Sequence, residues 1–231
     1  MSVVSITAVD PRTRERRPEA GVPDRGWPPP LPPERNDGDG EWRPAPGWPP
    51  FSNARLGMLL LLGGESMFFG GLVAAFLQLR LGAAVWPPPG QPRLPLGLTA
   101  VNTVMLLASS YAFLRALRAV RVDDQPGLIR WLLTAGGLGG LFLAVQGVEW
   151  VRLVHFGLTV SSGVYGATFY TLIGVHGAHV LGAVAWLGAA LVLARRGRYG
   201  PGDHVSLACC AMYWHFVVAL WPILYTLVYL A

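Results

Sequence analysis

VYGATFYTLIGVHGAHVLGAVAWLGAALVLA, residues 164–194, runs for 31 positions without an Asp, Glu, Lys or Arg. An α-helix rises about 1.5 Å per residue, and about 20 apolar residues cross the hydrocarbon of a bilayer. The stretch therefore reads as a transmembrane helix, long enough to tilt or to project beyond the bilayer. Working outward, four more stretches meet the same criterion: 205–230 after it, and 128–151, 96–114 and 56–79 before it. The fold class that follows is all-α, a polytopic membrane protein of five transmembrane helices in a bundle. The first four spans are rich in Gly and Ala, which lets helices approach closely in lipid. The first connection, WPPPGQPRLPLG at 86–97, reads as a proline-fixed turn, and no internal repeat is evident.

Composition agrees. Of 231 residues 52% are hydrophobic and 13% charged, about half the charge of a typical soluble domain. All eighteen basic residues are Arg. Residues 55–231 hold eleven of them against five acids. On a membrane protein that excess belongs on one side of the bilayer, so it does not imply nucleic acid as a partner. Cys209 and Cys210 are adjacent in an apolar run, which is no disulfide framework. Residues 1–54 form a separate unit. Twelve of the twenty prolines lie there, with PPPLPP at 28–33 and RNDGDGE at 35–41. Such a segment cannot bury enough apolar surface to offset its ordering entropy, so a disordered or extended tail is expected. Trp27, Trp42, Trp48 and Phe51 suit either an interfacial linker or a strap across a partner subunit.

The Arg bias sets the expected orientation. Arg43, Arg55, Arg115, Arg118, Arg121, Arg130, Arg195, Arg196 and Arg198 fall on one side of a five-span topology, and only Arg80, Arg93 and Arg152 on the other. Positive-inside then puts the N-terminus in the cytoplasm and the C-terminus outside.

Few polar groups enter the spans. Glu65, in LLLLGGESMFFGG, lies about 15 Å along its helix from Arg55, near the midplane. A charge there costs about 2.5–3.5 kcal/mol, so the carboxyl must be protonated, paired or facing a cavity. Gln146 and Glu149 share a face, and Arg152 continues it, which permits a Glu–Arg pair near the outer interface and helix bracing. His176 and His179, three apart, can share a face. With no Cys or carboxylate near them in sequence, hydrogen bonding across helices is favoured over metal ligation. His215 lies at a depth like that of Glu65, which permits a Glu65–His215 contact. Trp86, Trp150 and Trp214 are read as interfacial aromatics, and Tyr225 and Tyr229 as part of an outer aromatic belt. Pro222 is expected to bend the last span. Close packing within two helix groups would leave a gap between them, and acyl chains would satisfy its apolar walls. A lipid-holding cleft bounded by the first span is therefore expected, with Glu65, His176 and His179 on or near its inward faces.

Two motifs go further. YGATFYTLIGVHGAHVLGAVAWL (165–187) resembles the penultimate helix of haem-copper oxidase subunit III, whose Thr-Phe-bearing start is followed by His-Gly-x-His-Val. YWHFVVALWPILYTLVYL (213–230) resembles that family's last helix, with Tyr-Trp-His-Phe-Val and a Trp six residues after the His. Gln146, Glu149 and Trp150 are similar to its Gln-x-x-Glu-aromatic element. Glu65 with Phe68 and Phe69 is similar to its intramembrane glutamate, and Asn102 with Ser109 and Ser110 to its Asn-Thr and serine pattern. The resemblance covers residues 55–231. Val218 stands where the family commonly has Asp, Pro222 interrupts a usually smooth segment, and five spans stand where longer members have seven, as in the short bacterial form.

The resemblance implies a subunit of a proton-translocating terminal oxidase without a catalytic centre, haem or copper of its own. The haem and copper sit in a partner subunit I, with subunit II in the same complex. It further implies bound phospholipid, support of proton uptake and turnover stability, and a place in a bacterial inner membrane. Glu65, His176, His179 and His215 are then the residues expected to serve protons or lipid, and Gln146, Glu149, Arg152 and Asn102 to brace helices. Three other readings stand beside it: an auxiliary subunit of a nitric oxide reductase, a haem-b anchor using His176 or His179 with His215, and a small transporter built around Glu65.

Overall fold

The computed structural model describes residues 52–89 and 96–230, and all five expected spans lie within its helices. The helices are α1 (Asn53–Leu81), α2 (Leu96–Arg121), α3 (Gln125–His155), α4 (Val164–Arg195) and α5 (Val205–Tyr225). A π-helical segment, Thr226–Leu230, extends α5. Each span is long and apolar enough to cross a membrane, and no strand occurs among the described residues. With α4 32 residues long, its length is about 48 Å, well beyond the roughly 30 Å hydrocarbon. The aromatic residues of the tail, from Trp27 to Phe51, and Arg43 and Arg93 lie outside the described residues.

Local chemistry sets the helix ends. Ser52 Oγ accepts from the Arg55 amide at 3.4 Å, and Asp124 Oδ1 from that of Gly127 at 2.9 Å, so each relieves an orphan donor at a helix start. α2, α3 and α4 finish alike: the amide of the second residue past the cap reaches back to the third-last helical carbonyl. The pairs are Asp124 to Ala119, Leu158 to Leu153 and Arg198 to Leu193, at 3.0, 2.9 and 3.1 Å. That ending needs a left-handed residue, supplied by Gly157 (φ 89°) and Gly197 (φ 65°) after α3 and α4. After α2 it is Asp123 (φ 58°), a residue with a Cβ in a conformation glycine adopts freely.

Cross-helix bonds show that the chain alternates direction. Cys209 Sγ donates to the Ala54 carbonyl at 3.6 Å, bringing the starts of α1 and α5 together, and Gln125 Nε2 donates to the Tyr199 carbonyl at the same end. At the opposite end Arg80 Nη1 donates to the Leu227 carbonyl at 2.9 Å, and Tyr225 Oη to the Leu96 carbonyl at 3.1 Å. α2 packs most extensively on α3, and α5 lies against α1, α2 and α4. α5 buries over half of its apolar window inside the protein and α1 about a tenth, so α5 is the central helix and α1 the peripheral one.

Two tryptophans of α5 form the centre of the packing. Trp214 and Trp221 are fully buried with Phe69, Phe113, Phe142 and Phe169. Trp214, read from sequence as interfacial, is instead a core residue. A Cβ on Gly139 of α3 would lie 2.4 Å from Trp214 Cη2, so the bare backbone of α3 makes room for the indole. Tyr229 also turns inward from the expected aromatic belt, because it is buried and bonded to Gln146.

Asp123→Gly is expected to raise the unfolding temperature of the detergent-solubilised chain, the gain being about 0.5–1 kcal/mol from relief of the left-handed conformation. Gly139→Val is expected to lower it by about 1–3 kcal/mol through displacement of Trp214. Thermal melts followed by near-ultraviolet circular dichroism read both.

Candidate functional site

The polar residues of the spans gather into three places. In the first, α1 carries Glu65 beside α4, and His179 Nε2 stands 3.1 Å from Glu65 Oε2. The other ring nitrogen, Nδ1, is 2.8 Å from the Val175 carbonyl, which accepts and cannot donate. Nδ1 must therefore carry a hydrogen, and a single shared proton completes the contact between Nε2 and the carboxyl. Whether that proton sits on the imidazole or on the carboxyl, the pair is neutral as a whole. A neutral pair is what an apolar helix tolerates. Phe68 stacks on His179 at 6.3 Å and Phe69 meets it edge-on at 5.0 Å. Both members are about one-fifth exposed. They line a concavity of about 570 Å³ with Leu60, Leu61, Gly64 and Phe68.

The second place joins α2, α3 and the π-helical segment. Glu149 is buried, and its carboxylate accepts from Thr99 Oγ1 at 3.0 and 3.2 Å and from Gln146 Nε2 at 2.9 Å. Gln146 Nε2 also donates to Tyr229 Oη at 3.1 Å. One helical turn along, Asn102 Nδ2 donates to the Phe142 carbonyl at 3.2 Å, and Trp221 Nε1 to Thr103 Oγ1 at 2.8 Å. The third place is smaller: Ser110 of α2 meets His215 Nδ1 of α5.

Several expectations change. No Glu149–Arg152 ion pair forms among the described residues. Arg152 is exposed, and hydroxyl and amide donors hold Glu149 from the other side. Glu65 meets His179 and not His215, because α1 presents this face to α4 while His215 turns toward α2. His176 does not share the hydrogen-bonding role of His179. It is fully buried, stacks on Trp221 at 5.0 Å, and neither ring nitrogen has a hydrogen-bond partner. Of the remaining tryptophans, Trp86 sits edge-on to Phe76 and Tyr165, and Trp150 packs on Tyr170 and over Gly177. The expected cleft is not a gap between two helix groups. α1 lies directly on α4 and α5, and its concavity with His179 opens outward. Pro222 is accommodated at the end of α5, where π-helical winding takes over.

Thr99, Thr103, Ser110, Trp221 and Tyr229 were not singled out as site residues by sequence alone. For α2 a signal existed: Thr99, Asn102, Thr103 and Ser109 recur at helical spacing and mark one buried polar stripe. For Tyr229 there was none, since its inward turn depends on the winding after Pro222.

Among the described residues no group of three or more His, Cys, Asp and Glu side chains comes together as a metal site. The hydrogen-bonded polar groups instead join two or three helical segments around one carboxyl or one ring. A family model described as cytochrome c oxidase subunit III matches residues 51–231, the whole of the helical body. The chain belongs to the cytochrome c oxidase subunit III family. A protein of Thermostichus vulcanus named cytochrome c oxidase subunit 3 is 36% identical over 176 residues, which is 76% of this chain and 86% of that protein. A Synechocystis protein of the same name is 37% identical over 175 residues, 75% of this chain and 74% of that one. One of Bacillus subtilis is 34% identical over 183 residues, 77% and 86% of the two. In this subunit III chain the family's motif residues thus meet in space: the intramembrane glutamate with the second histidine of His-Gly-x-His, and the first histidine with the tryptophan of the last helix.

His179→Leu is expected to destabilise the chain by about 1 kcal/mol by leaving Glu65 half-buried without its partner, and the change is lost in a Glu65→Leu background. A double-mutant cycle on thermal unfolding measures the coupling.

Proposed function

We propose that this chain is the non-redox subunit III of a proton-translocating haem-copper terminal oxidase, in which a partner subunit reduces oxygen to water. The observation that carries it is the family match across residues 51–231, on a bundle whose intramembrane polar groups are used in contacts between helices. Subunit I, bearing haem and copper, and subunit II are the partners. The peripheral helix α1, with exposed Leu56, Leu59, Leu60 and Met67, offers an apolar face either to a partner helix or to lipid. The concavity at Glu65 and His179 is read as the seat of bound phospholipid. It has apolar walls for acyl chains and a neutral polar pair that does not repel them. Glu65 and His179 hold one exchangeable proton, which suits support of proton uptake and of stability during turnover.

The protein is a multi-pass membrane protein. Its assignment to a bacterial inner membrane, N-terminus inside, rests on the Arg-rich end formed by the start of α1 and the α2–α3 and α4–α5 links. Residues 55–231 then act as the subunit III body, and residues 1–54 as a cytoplasmic extension.

Affinity purification of the tagged chain in mild detergent tests the proposal. A haem-bearing subunit is expected in stoichiometric amount, with haem and copper remaining on it when this chain is stripped away. A chain that purifies without such a subunit, or that keeps haem itself, refutes the proposal. In the assembled oxidase, Glu65→Ala is expected to shorten activity under sustained turnover severalfold while leaving assembly intact.

A further inference from the structure

One face of α2 is turned away from the rest of the chain, and its chemistry changes along the helix. Val101, Val104 and Leu107 are exposed in the middle of the span, Tyr111 one turn further on, and Arg118 near the end. Positions 104, 111 and 118 are seven apart, as are 101, 108 and 115, so these residues stack along one side of the helix. Arg115 lies half-buried among them and is held in place. Its Nη1 donates to Tyr111 Oη at 3.2 Å, and its guanidinium carbon lies 4.9 Å from the centre of the Trp131 ring of α3. The indole covers one side of the guanidinium. The other N–H groups of Arg115 have no acceptor among the described residues. Tyr111 Oη accepts from Arg115, so its own hydrogen remains to be donated.

This end of the bundle carries Arg115, Arg118 and Arg121 on α2 and Arg130 on α3. Among the described residues none of them forms an ion pair with a carboxylate. The acids nearest in sequence do not offset them: Asp124 caps the Gly127 amide, and Asp123 lies in the link beyond Arg121. Arg115 is eleven residues beyond Val104, about 16 Å along the helix. That matches the hydrocarbon depth of one leaflet, half of roughly 30 Å. An acyl chain laid on the apolar residues therefore brings its phosphate to the level of Tyr111, Arg115 and Arg118. An apolar partner helix on this face would bury the guanidinium groups without a counter-charge, which is costly. A zwitterionic head group carries its own cation beside the phosphate and gains less from the Arg cluster than a net anion does.

We propose that this face of α2 holds an anionic phospholipid of the leaflet at the Arg-rich end. Arg115 and Tyr111 hydrogen-bond its phosphate, Arg118 attracts it, and an acyl chain lies along Val101, Val104 and Leu107. Tyr111 and Trp131 already fix the Arg115 side chain, so little of its rotamer freedom is lost on binding. The site is separate from the concavity at Glu65 and His179, which belongs to α1 and α4.

Phosphatidylglycerol with a photoreactive acyl chain tests this on the full chain, purified with its co-purifying subunits in mild detergent. Peptide mapping is expected to place the label on α2 within residues 101–118 and on α3 beside Trp131. Phosphatidylcholine bearing the same chain is expected to label these peptides about tenfold less. Arg115→Gln combined with Arg118→Gln is expected to reduce the phosphatidylglycerol label about tenfold. Tyr111→Phe, a milder change should the double variant fail to fold, is expected to reduce it about threefold. Arg196→Gln, at another exposed Arg, is expected to leave the α2 label unchanged. Retention of the haem-bearing partner is the check on folding. The proposal is overturned by equal labelling with the two lipids, by label that persists in the folded variants, or by absence of label on α2 because a co-purifying subunit covers it. Displacement of the label by inorganic phosphate, but not by chloride at equal ionic strength, overturns it too. Each of these outcomes leaves the subunit III assignment standing as long as the haem-bearing partner is retained.

Discussion

A carboxyl group inside hydrocarbon has no water to turn to, so each of the two acids in the spans must be satisfied by protein, and much of the bundle is arranged around doing so. Glu149 takes the Thr99 hydroxyl from α2 and the Gln146 amide from its own helix, and the same amide holds Tyr229 beyond α5. Removing Thr99 or Gln146 leaves a buried carboxyl short of a donor, and Gln146 also holds Tyr229, so α2, α3 and the π-helical segment are tied into one unit. Glu65 is solved differently. On the least buried helix it has one partner, His179, and a shared proton makes the pair neutral.

Packing divides the molecule along the same line. The four helices α2 to α5 close around Trp214 and Trp221, whose bulk is admitted by Gly139 and whose one bonded indole nitrogen is taken by Thr103. Without a hydrophobic drive between helices in lipid, such close backbone approach and buried hydrogen bonds are what hold helices together. α1 is attached at three levels: by Cys209 at its start, His179 in its middle and Arg80 at its end. Its remaining surface is apolar and unpartnered within the chain, which is the arrangement expected of a subunit that finishes its packing inside a larger complex.

The number, order and approximate limits of the spans were legible because a bilayer imposes length and apolarity on each span independently, whatever its neighbours do. The intramembrane positions of Glu65, Gln146, Glu149, His176 and His179 were legible for the same reason: polar residues stand out against an apolar run. Their partners were not. Glu65 and His215 share a depth but not a helix interface, and Arg152 lies one turn from Glu149 yet faces outward. Depth comes from counting residues along one helix, whereas partnership depends on how two helices are rotated and which of them touch.

Trp214 shows the difference most clearly. As an aromatic residue in an apolar helix it suits an interface belt, and only the bare Gly139 opposite it makes a place for it in the core. His176 and His179, three residues apart in one motif, end in different surroundings because α4 turns one toward Trp221 and the other toward α1. The sequence by itself determined that the chain crosses a membrane five times, which end collects the Arg residues, and which polar groups enter the hydrocarbon, since each of these depends on local composition. Which polar groups meet, where cavities remain, and which histidine carries a shared proton were decided only by tertiary structure, because helix rotation and adjacency arise from packing among residues far apart in the chain.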